Sequence, residues 1–231
     1  VFFGGAGVST ESGIPDFRSP DGLYAAQTAY GYRPEGILSI DFFEARPDVF
    51  FDYYVHNILH LDAQPNAAHR ALAQLEDRGV LSAVVTQNID GLHQLAGSRT
   101  VHELHGSVLR NHCRECGTPH DVAEVVAGAS TPDAVPRCRR CGGVVRPDVV
   151  LYGEVLDPQV VSAAVDAIRT ADVLIVGGTS LVVHPAAGLV NCFRGDRLVL
   201  INKEATPHDS AADLVIRAPI GQVLGAAALR E

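Results

Sequence analysis

Short apolar runs rich in β-branched residues recur along the chain with helical stretches between them: Val1-Phe2-Phe3, Leu81 to Val85, Val173 to Val176, Leu198 to Ile201 and Leu214 to Ile216. Parallel strands need a crossover long enough to hold a helix. Strands spaced by helices therefore assemble into a parallel sheet covered on both faces, and a sandwich of hairpins is excluded. The helical stretches expected between the runs are Asn66 to Arg78, Pro158 to Thr170 and Pro185 to Phe193. Asn66 suits the start of the first, because its side chain can cap free backbone N–H groups, and Gly79 suits its end. With 231 residues, 47% of them hydrophobic, the chain can bury a full core around such a sheet.

Two segments break the alternation. Ala25 to Leu61 carries Phe42, Phe43, Phe50, Phe51, Tyr53, Tyr54, Ile58 and Leu59; it reads mostly as helix and is expected to pack near the sheet edge. Arg110 to Arg146 is rich in Arg, Gly and Pro, lacks a long periodicity and contains four of the five cysteines. The expected division is a sheet domain from residues 1–24, 62–109 and 147–231, a helical insertion at 25–61 and a small module at 110–146. The sequence opens inside an apolar run with no charged leader, so Val1 is expected within the first strand and the sequence reads as the core of a gene product.

Cys113-x2-Cys116 and Cys138-x2-Cys141 present four thiolates as two pairs, the arrangement that brings two knuckles to one tetrahedral zinc. A redox Cys-x-x-Cys needs only one pair, and the close spacings of iron–sulfur sites are absent. Four thiolates leave no open position for a catalytic water, so the metal is expected to be structural. Paired thiols, read without a secretory segment, make the cytoplasm the expected compartment. Cys192, alone on an apolar stretch, reads as a buried inert thiol. The module has six Arg against four acids, and its arginines are read as compensating the negative charge of a tetrathiolate zinc. It has no aromatic residue to stack a base. Together with a net charge of −9, this argues against nucleic acid as a partner. No apolar run approaches the roughly 18 residues of a membrane span.

Gly4-Gly5-Ala6-Gly7-Val8-Ser9 directly follows the first apolar run. Glycines there permit a tight turn and bring backbone N–H groups close to a pyrophosphate, which points to a dinucleotide and to a Rossmann-like sheet. The dehydrogenase fingerprint is incomplete. Thr10 stands where a third glycine belongs, and Pro20-Asp21-Gly22 reads as a loop where a second strand should end in an acid. The phosphate turn is present without the grammar of hydride transfer. Ser9 to Arg18, Thr86-Gln87-Asn88-Ile89-Asp90 and Glu103-Leu104-His105-Gly106 then carry polar side chains to one end of the sheet.

These motifs, with Gly13-Ile14-Pro15-Asp16-Phe17-Arg18, the four paired cysteines and Gly178-Thr179-Ser180, resemble the sirtuin family over nearly the whole chain and in the family's order. The resemblance implies an NAD-dependent protein-lysine deacetylase that transfers the acyl group to ADP-ribose and releases nicotinamide. NAD and one structural zinc are its implied cofactors, and proteins or peptides with acetylated or otherwise acylated lysine its partners. His105 is implied as the base that deprotonates a ribose hydroxyl after the acyl oxygen attacks C1′, a role that suits a near-neutral pKa. Asn88 and Asp90 match residues that order a ribose-adjacent water and hold the nicotinamide carboxamide, and Gln87 matches a ribose contact. Gly5, Ala6, Gly7, Ser9, Asp16, Phe17 and Arg18 resemble the cofactor loop, with Phe17 shielding the reacting centre and Arg18 countering phosphate charge. Gly178, Thr179 and Ser180 match a second phosphate and ribose loop, and Asn202 an adenosine-ribose contact. His93, His102, His112 and His120 match no functional position and are read as structural.

The resemblance also implies an extended peptide between Val149-Val150-Leu151-Tyr152-Gly153-Glu154 and Ser180-Leu181-Val182-Val183, adding a strand on both sides. Leu151 and Tyr152 stand where the family often has two Phe, which still makes an apolar tunnel for a neutral acyl-lysine. Family members that remove succinyl groups share a Tyr-x-x-Arg, and the nearest match here is Tyr53 with His56. A mostly neutral His lacks the bidentate fork of Arg, so acetyl-lysine is expected to be preferred over succinyl-lysine. Retention of His105 and Asn88 argues against an ADP-ribosyltransferase on the same scaffold, and the charge count argues against a non-catalytic zinc-ribbon adaptor or DNA-binding module.

Overall fold

The structure is a computed structural model that describes residues 1–16, 30–131 and 134–228. In chain order its strands are β1 (Phe2–Gly4), β2 (Val84–Thr86), β3 (Val101–Glu103), β4 (Gly106–Cys113), β5 (Pro119–His120), β6 (Val145–Val149), β7 (Val173–Gly177), β8 (Arg197–Ile201) and β9 (Leu214–Ile216). Six of them form one parallel sheet in the order β3-β2-β1-β7-β8-β9. The chain builds outward from β1 to one edge, then restarts at β7 and builds to the other. In such doubly wound sheets the ligand crevice opens beyond the carboxyl ends of the two central strands. The loops after β1 and β7 hold the two glycine motifs found in the sequence.

Adjacent residues of β1 face opposite sides, and both are fully buried. Phe3 packs with Val85, Leu174 and Val176 under α7 (Pro158–Thr170), which contributes Ala164 and Ile168. Phe2 packs with Val84 and Ile201 under α4 (Ala67–Asp77) and α8 (Ile220–Ala228), which contribute Leu72 and Leu224. Burial on both faces is what makes the strand runs almost continuously apolar. Asn66 caps α4 as expected, accepting from the backbone N–H of Ala68 and His69 while the His69 ring accepts from its own N–H. Asp157 caps α7, which starts on Pro158.

Several expectations are corrected. The run Leu81 to Val85 becomes a strand only from Val84, because pairing with β1 begins at Phe2 opposite Val84. The stretch Pro185 to Phe193 forms a 3₁₀ helix over Ala186–Cys192. Strand β3 carries little apolar signal, since His102 and Glu103 are two of its three residues and it lies half-buried at the sheet edge. The segment 110–146 has more structure than its composition suggests: β4, β5 and β6 form an antiparallel sheet, and α6 (Val122–Gly128) packs on β4.

The helical insertion contributes α1 (Pro34–Ile37), α2 (Ile40–Ala45) and α3 (Pro47–Tyr53), the last running into a π turn at Tyr54–Ile58. Its Phe43, Phe50, Phe51, Tyr53 and Tyr54 share a core with Val108, Val125, Val145 and Val149. The insertion thus packs on the cysteine module, and its rings meet mostly edge to face, at centroid separations of 4.8 to 6.4 Å.

His69 on α4 and His93 on α5 (Leu92–Leu95) are buried ring against ring, centroids 4.8 Å apart. Burial pushes the His69 pKa down to about 4 and that of His93 to about 3. The unfolded chain takes up both protons near pH 6.5, which the folded chain refuses until lower pH, so stability falls as pH falls through that window. Each unit by which a histidine pKa is lowered removes about 1.4 kcal/mol of stability at the acid end. The melting temperature should drop by on the order of 10 °C between about pH 7.5 and about pH 4.5; a flat profile there contradicts it.

Candidate active site

A cleft of about 810 Å³ opens at the carboxyl ends of β1 and β7. Gly5, Ala6, Gly7, Ser9, Asp16, Gln87, Asn88, Asp90, His105, Gly178, Thr179, Ser180 and Asn202 all line it. Phe17 and Arg18 lie outside the described residues. The two glycine loops pack backbone to backbone: the Gly7 N–H donates to the Gly178 carbonyl at 2.8 Å, and a Cβ on Gly178, at φ +58°, would lie 2.4 Å from the Val8 nitrogen. No side chain fits at that contact.

The polar residues after β2 are tied to the first loop. The buried Ser9 hydroxyl donates to Asp90 Oδ2 at 2.6 Å and accepts from Asn88 Nδ2 at 3.0 Å. Asp90 Oδ1 accepts from the Leu92 N–H at 2.9 Å, so both carboxylate oxygens are oriented. Gln87 Nε2 donates to Thr179 Oγ1 at 3.1 Å, bridging the loop after β2 to the loop after β7. The Gln87 carbonyl in turn accepts from His105 Nδ1 at 2.9 Å. A carbonyl only accepts, so the His105 proton sits on Nδ1 and Nε2 is left as the basic nitrogen. Burial lowers the His105 pKa below its ordinary 6.5, against the opposing effect of the Gln87 carbonyl. Gly106 follows at φ +76°, where a Cβ would lie 2.0 Å from the Asp148 carbonyl, so only glycine lets β4 start here beside β6.

Val150, Leu151, Tyr152, Gly153 and Glu154 form the opposite wall. The Val150 N–H donates to the His105 carbonyl at 3.0 Å, and Tyr152 pairs with the insertion through Leu38 and Ile40, each at 2.9 Å. Glu154 lines the cleft and also holds its own segment in place. Its carboxylate takes a bidentate contact from Arg146 at 2.7 and 2.9 Å and the Leu151 N–H at 2.8 Å. Burial raises the Glu154 carboxyl, but these hydrogen bonds outweigh it and the net shift is downward. Glu154 shapes its own segment, with Arg146 as a partner the sequence reading did not assign. Leu181 is buried in the main core at φ +55°, and Val183 lines the cleft in its place.

Tyr53 and His56 do not line the cleft. Tyr53 is buried against Tyr30, and His56 is exposed, with Nδ1 at 2.8 Å from the Asp52 carbonyl oxygen. Tyr54, Asn57 and Ile58 line the cleft instead. The π turn at Tyr54–Ile58 gives this segment a wider turn than α-helical spacing assumes, which changes the face each residue presents.

The four paired cysteines converge from two knuckles closed by matching turns, with Gly117 N–H on the Cys113 carbonyl at 3.0 Å and Gly142 N–H on the Cys138 carbonyl at 2.8 Å. Their sulfurs lie within 4.8 Å of one another, with separations of 3.4 to 3.8 Å for three of the pairs. A tetrahedral zinc with thiolates at 2.3 Å sets sulfurs about 3.8 Å apart, so the four ligands fit that ion. The arginines of the module have another employment than the one expected. Arg110 pairs with Glu103 and Asp148, Arg114 with Glu44, Arg139 with Glu124 and Arg146 with Glu154. Arg110, Arg114 and Arg146 join the module to its neighbours through carboxylates, and Arg139 ties the module to its own helix α6. No helix among the described residues is long and apolar enough to cross a membrane.

Residues 5–185 match the Sir2 family. The chain is 56% identical over 224 residues to an NAD-dependent protein deacetylase of Clostridium acetobutylicum, covering 97% of this chain and 90% of that one. It is 58% identical over 226 residues to one of Clostridium perfringens, covering 97% and 91%. A solved Sir2–p53 peptide–NAD+ complex superposes with a TM-score of 0.86 at 38% identity, covering 96% of this chain and 89% of that one. With the paired glycine loops, the oriented histidine and the four-cysteine knuckle in place, these matches show that the chain belongs to the Sir2 family.

Proposed function

We propose that the chain catalyses NAD-dependent deacetylation of lysine side chains in proteins, moving the acyl group to ADP-ribose with release of nicotinamide. The observation that carries this reading is His105. It lines the cleft formed by the two glycine loops, its backbone is bonded to the substrate segment at Val150, and its Nδ1 proton is committed to Gln87. Nε2 is therefore a base, and burial keeps the ring neutral at pH 7 so that it can take a proton from a hydroxyl. NAD, when bound, supplies the electrophilic sugar carbon and the leaving nicotinamide. The glycine loops, Thr179 and Ser180 would hold its phosphates and ribose, and Asn202 its adenosine ribose. Gln87 would contact the other ribose, Asn88 would order a water beside it, and Asp90 would orient the carboxamide. The relatives' name, NAD-dependent protein deacetylase, supports the same activity.

An acylated peptide would lie between 150–154 and 180–183 by strand addition. The domain division expected from the sequence stays part of this reading, with 25–61 and 110–146 sharing one core that also takes Val108, Val149 and Leu151. Four cysteines gathered as metal ligands support a reducing compartment, the cytoplasm.

The test is nicotinamide release measured with and without an acetylated peptide. Release is expected only when NAD and the peptide are both present. NAD consumption without peptide, or labelled ADP-ribose appearing on protein, would overturn the reading. Acyl preference is a separate outcome. Among the described residues lining the cleft there is no Arg, and Tyr54 and Asn57 are uncharged at neutral pH. Matched peptides should show kcat/KM for acetyl-lysine above succinyl-lysine by ~10-fold or more, the scale of a lost charge-assisted contact. Faster desuccinylation sinks that expectation.

A further inference from the structure

Asn66 does more than cap α4. Its Oδ1 accepts from the Ala68 N–H at 2.9 Å and the His69 N–H at 3.4 Å, while its Nδ2 donates to the Val8 carbonyl at 2.7 Å and to Ser12 Oγ at 3.0 Å. Backbone donors on one side and a carbonyl on the other leave a single orientation for the amide. Asn66 is buried and lies outside the cleft lining. Val8 and Ser12 end the two 3₁₀ turns, Ala6–Val8 and Thr10–Ser12, that flank Ser9. The same loop has a second tether, since the Gly221 N–H in the first turn of α8 donates to Glu11 Oε2 at 2.7 Å.

We infer that Asn66 is a positioning residue for cofactor binding: its amide couples the start of α4 to the first glycine loop and so fixes where Gly5 to Ser9 present their groups to the dinucleotide. The inference rests on the NAD reading above. One side chain serves two ends that chemistry can separate. Its carbonyl oxygen serves the helix, and its amide nitrogen serves the loop. Without the nitrogen, the Val8 carbonyl loses a buried donor and the loop loses its register on the sheet, while the helix keeps its cap.

Two variants separate these parts. Asn66→Asp retains an oxygen for the cap and removes both donors to the loop. Asn66→Ser retains a capping hydroxyl that is too short to reach Val8. Either one that folds should raise KM for NAD and the calorimetric Kd for ADP-ribose by ~10-fold, about 1.4 kcal/mol. KM for acetyl-peptide should stay near that of the parent, and the melting temperature should fall by no more than the few degrees that one unpaired buried carbonyl costs. Ser12→Ala, which leaves the cap and the Val8 bond in place, should show the same pattern at ~2-fold to 3-fold. The inference is overturned if ADP-ribose binds as tightly to the Asn66 variants as to the parent. It is also overturned if NAD and peptide affinities fall together with the melting temperature, the mark of a cap and nothing more. If the parent itself binds no ADP-ribose, the NAD reading fails instead.

Discussion

His105→Ala is expected to abolish acetyl-peptide-dependent nicotinamide release while leaving ADP-ribose affinity within about threefold of the parent. A positioned general base contributes roughly 10²- to 10⁴-fold, and no other residue in the described cleft holds an imidazole against the Gln87 carbonyl. The affinity survives because the dinucleotide would be held mainly by the two glycine loops and by Thr179, Ser180 and Asn202. The Gly7–Gly178 contact does not involve the ring. His105→Ala turning over within tenfold of the parent, at matched NAD and peptide saturation, would reassign the base.

The same residue sets a pH dependence. Burial lowers the His105 pKa below 6.5, so the basic, neutral form predominates at pH 7 and the acid limb of kcat/KM lies below pH 6.5. The variant Gln87→Ala keeps the backbone carbonyl that orients the ring, and should leave that limb in place while weakening the bridge to Thr179. An acid limb centred above pH 7 contradicts the burial argument.

Stripping the metal should have the second large effect. Structural zinc in small modules carries apparent binding free energies of about 10–16 kcal/mol, and folding of the module depends on them. Cys113 and Cys138 are buried in the core that also holds Phe43, Phe50, Phe51 and Tyr54, and β6 runs directly into the substrate segment through Val149 and Val150. Loss of the ion should therefore disorder the insertion and the peptide wall together. Exhaustive chelation, or Cys138→Ser, is expected to reduce deacetylation ~100-fold or more and to expose the insertion's aromatic rings to solvent, while ADP-ribose affinity falls much less. The main sheet has its own cores on both faces and no cysteine ligand in them. A metal-free protein that retains full activity and an unchanged near-ultraviolet dichroism would remove zinc from the fold. Restoration by one equivalent of zinc separates unfolding from chelator damage.

Much of this was legible before any coordinates. The Gly4 to Ser9 turn, the two Cys-x-x-Cys knuckles, the capped helix at Asn66 and the apolar runs are signals written within a few residues of one another. Each acts through local backbone geometry: a tight turn, a helix cap, a strand period of two. The same locality explains why β3 passed unnoticed, since Val101-His102-Glu103 becomes a strand through pairing with β2 and not through its own apolar content.

The partners that complete the site come from far along the chain. Ser9 meets Asn88 and Asp90, Gln87 meets Thr179, Asn66 meets Val8 and Ser12, and Glu154 meets Arg146. A sequence pattern names such residues but not which atoms face each other. The facing of a side chain changes with one turn of backbone, as the π turn shows by placing Tyr54 and Asn57 on the cleft and leaving Tyr53 and His56 off it. The sequence by itself determined the sheet class, the glycine turn and the metal ligands, because local hydrogen bonding and ligand chemistry specify them, while His105 was singled out by the resemblance to the family. Only the tertiary structure decided the tautomer of that histidine, the pairing of the module's arginines, the shared core of insertion and module, and the second use of Asn66, because each depends on groups that meet only when distant segments pack together.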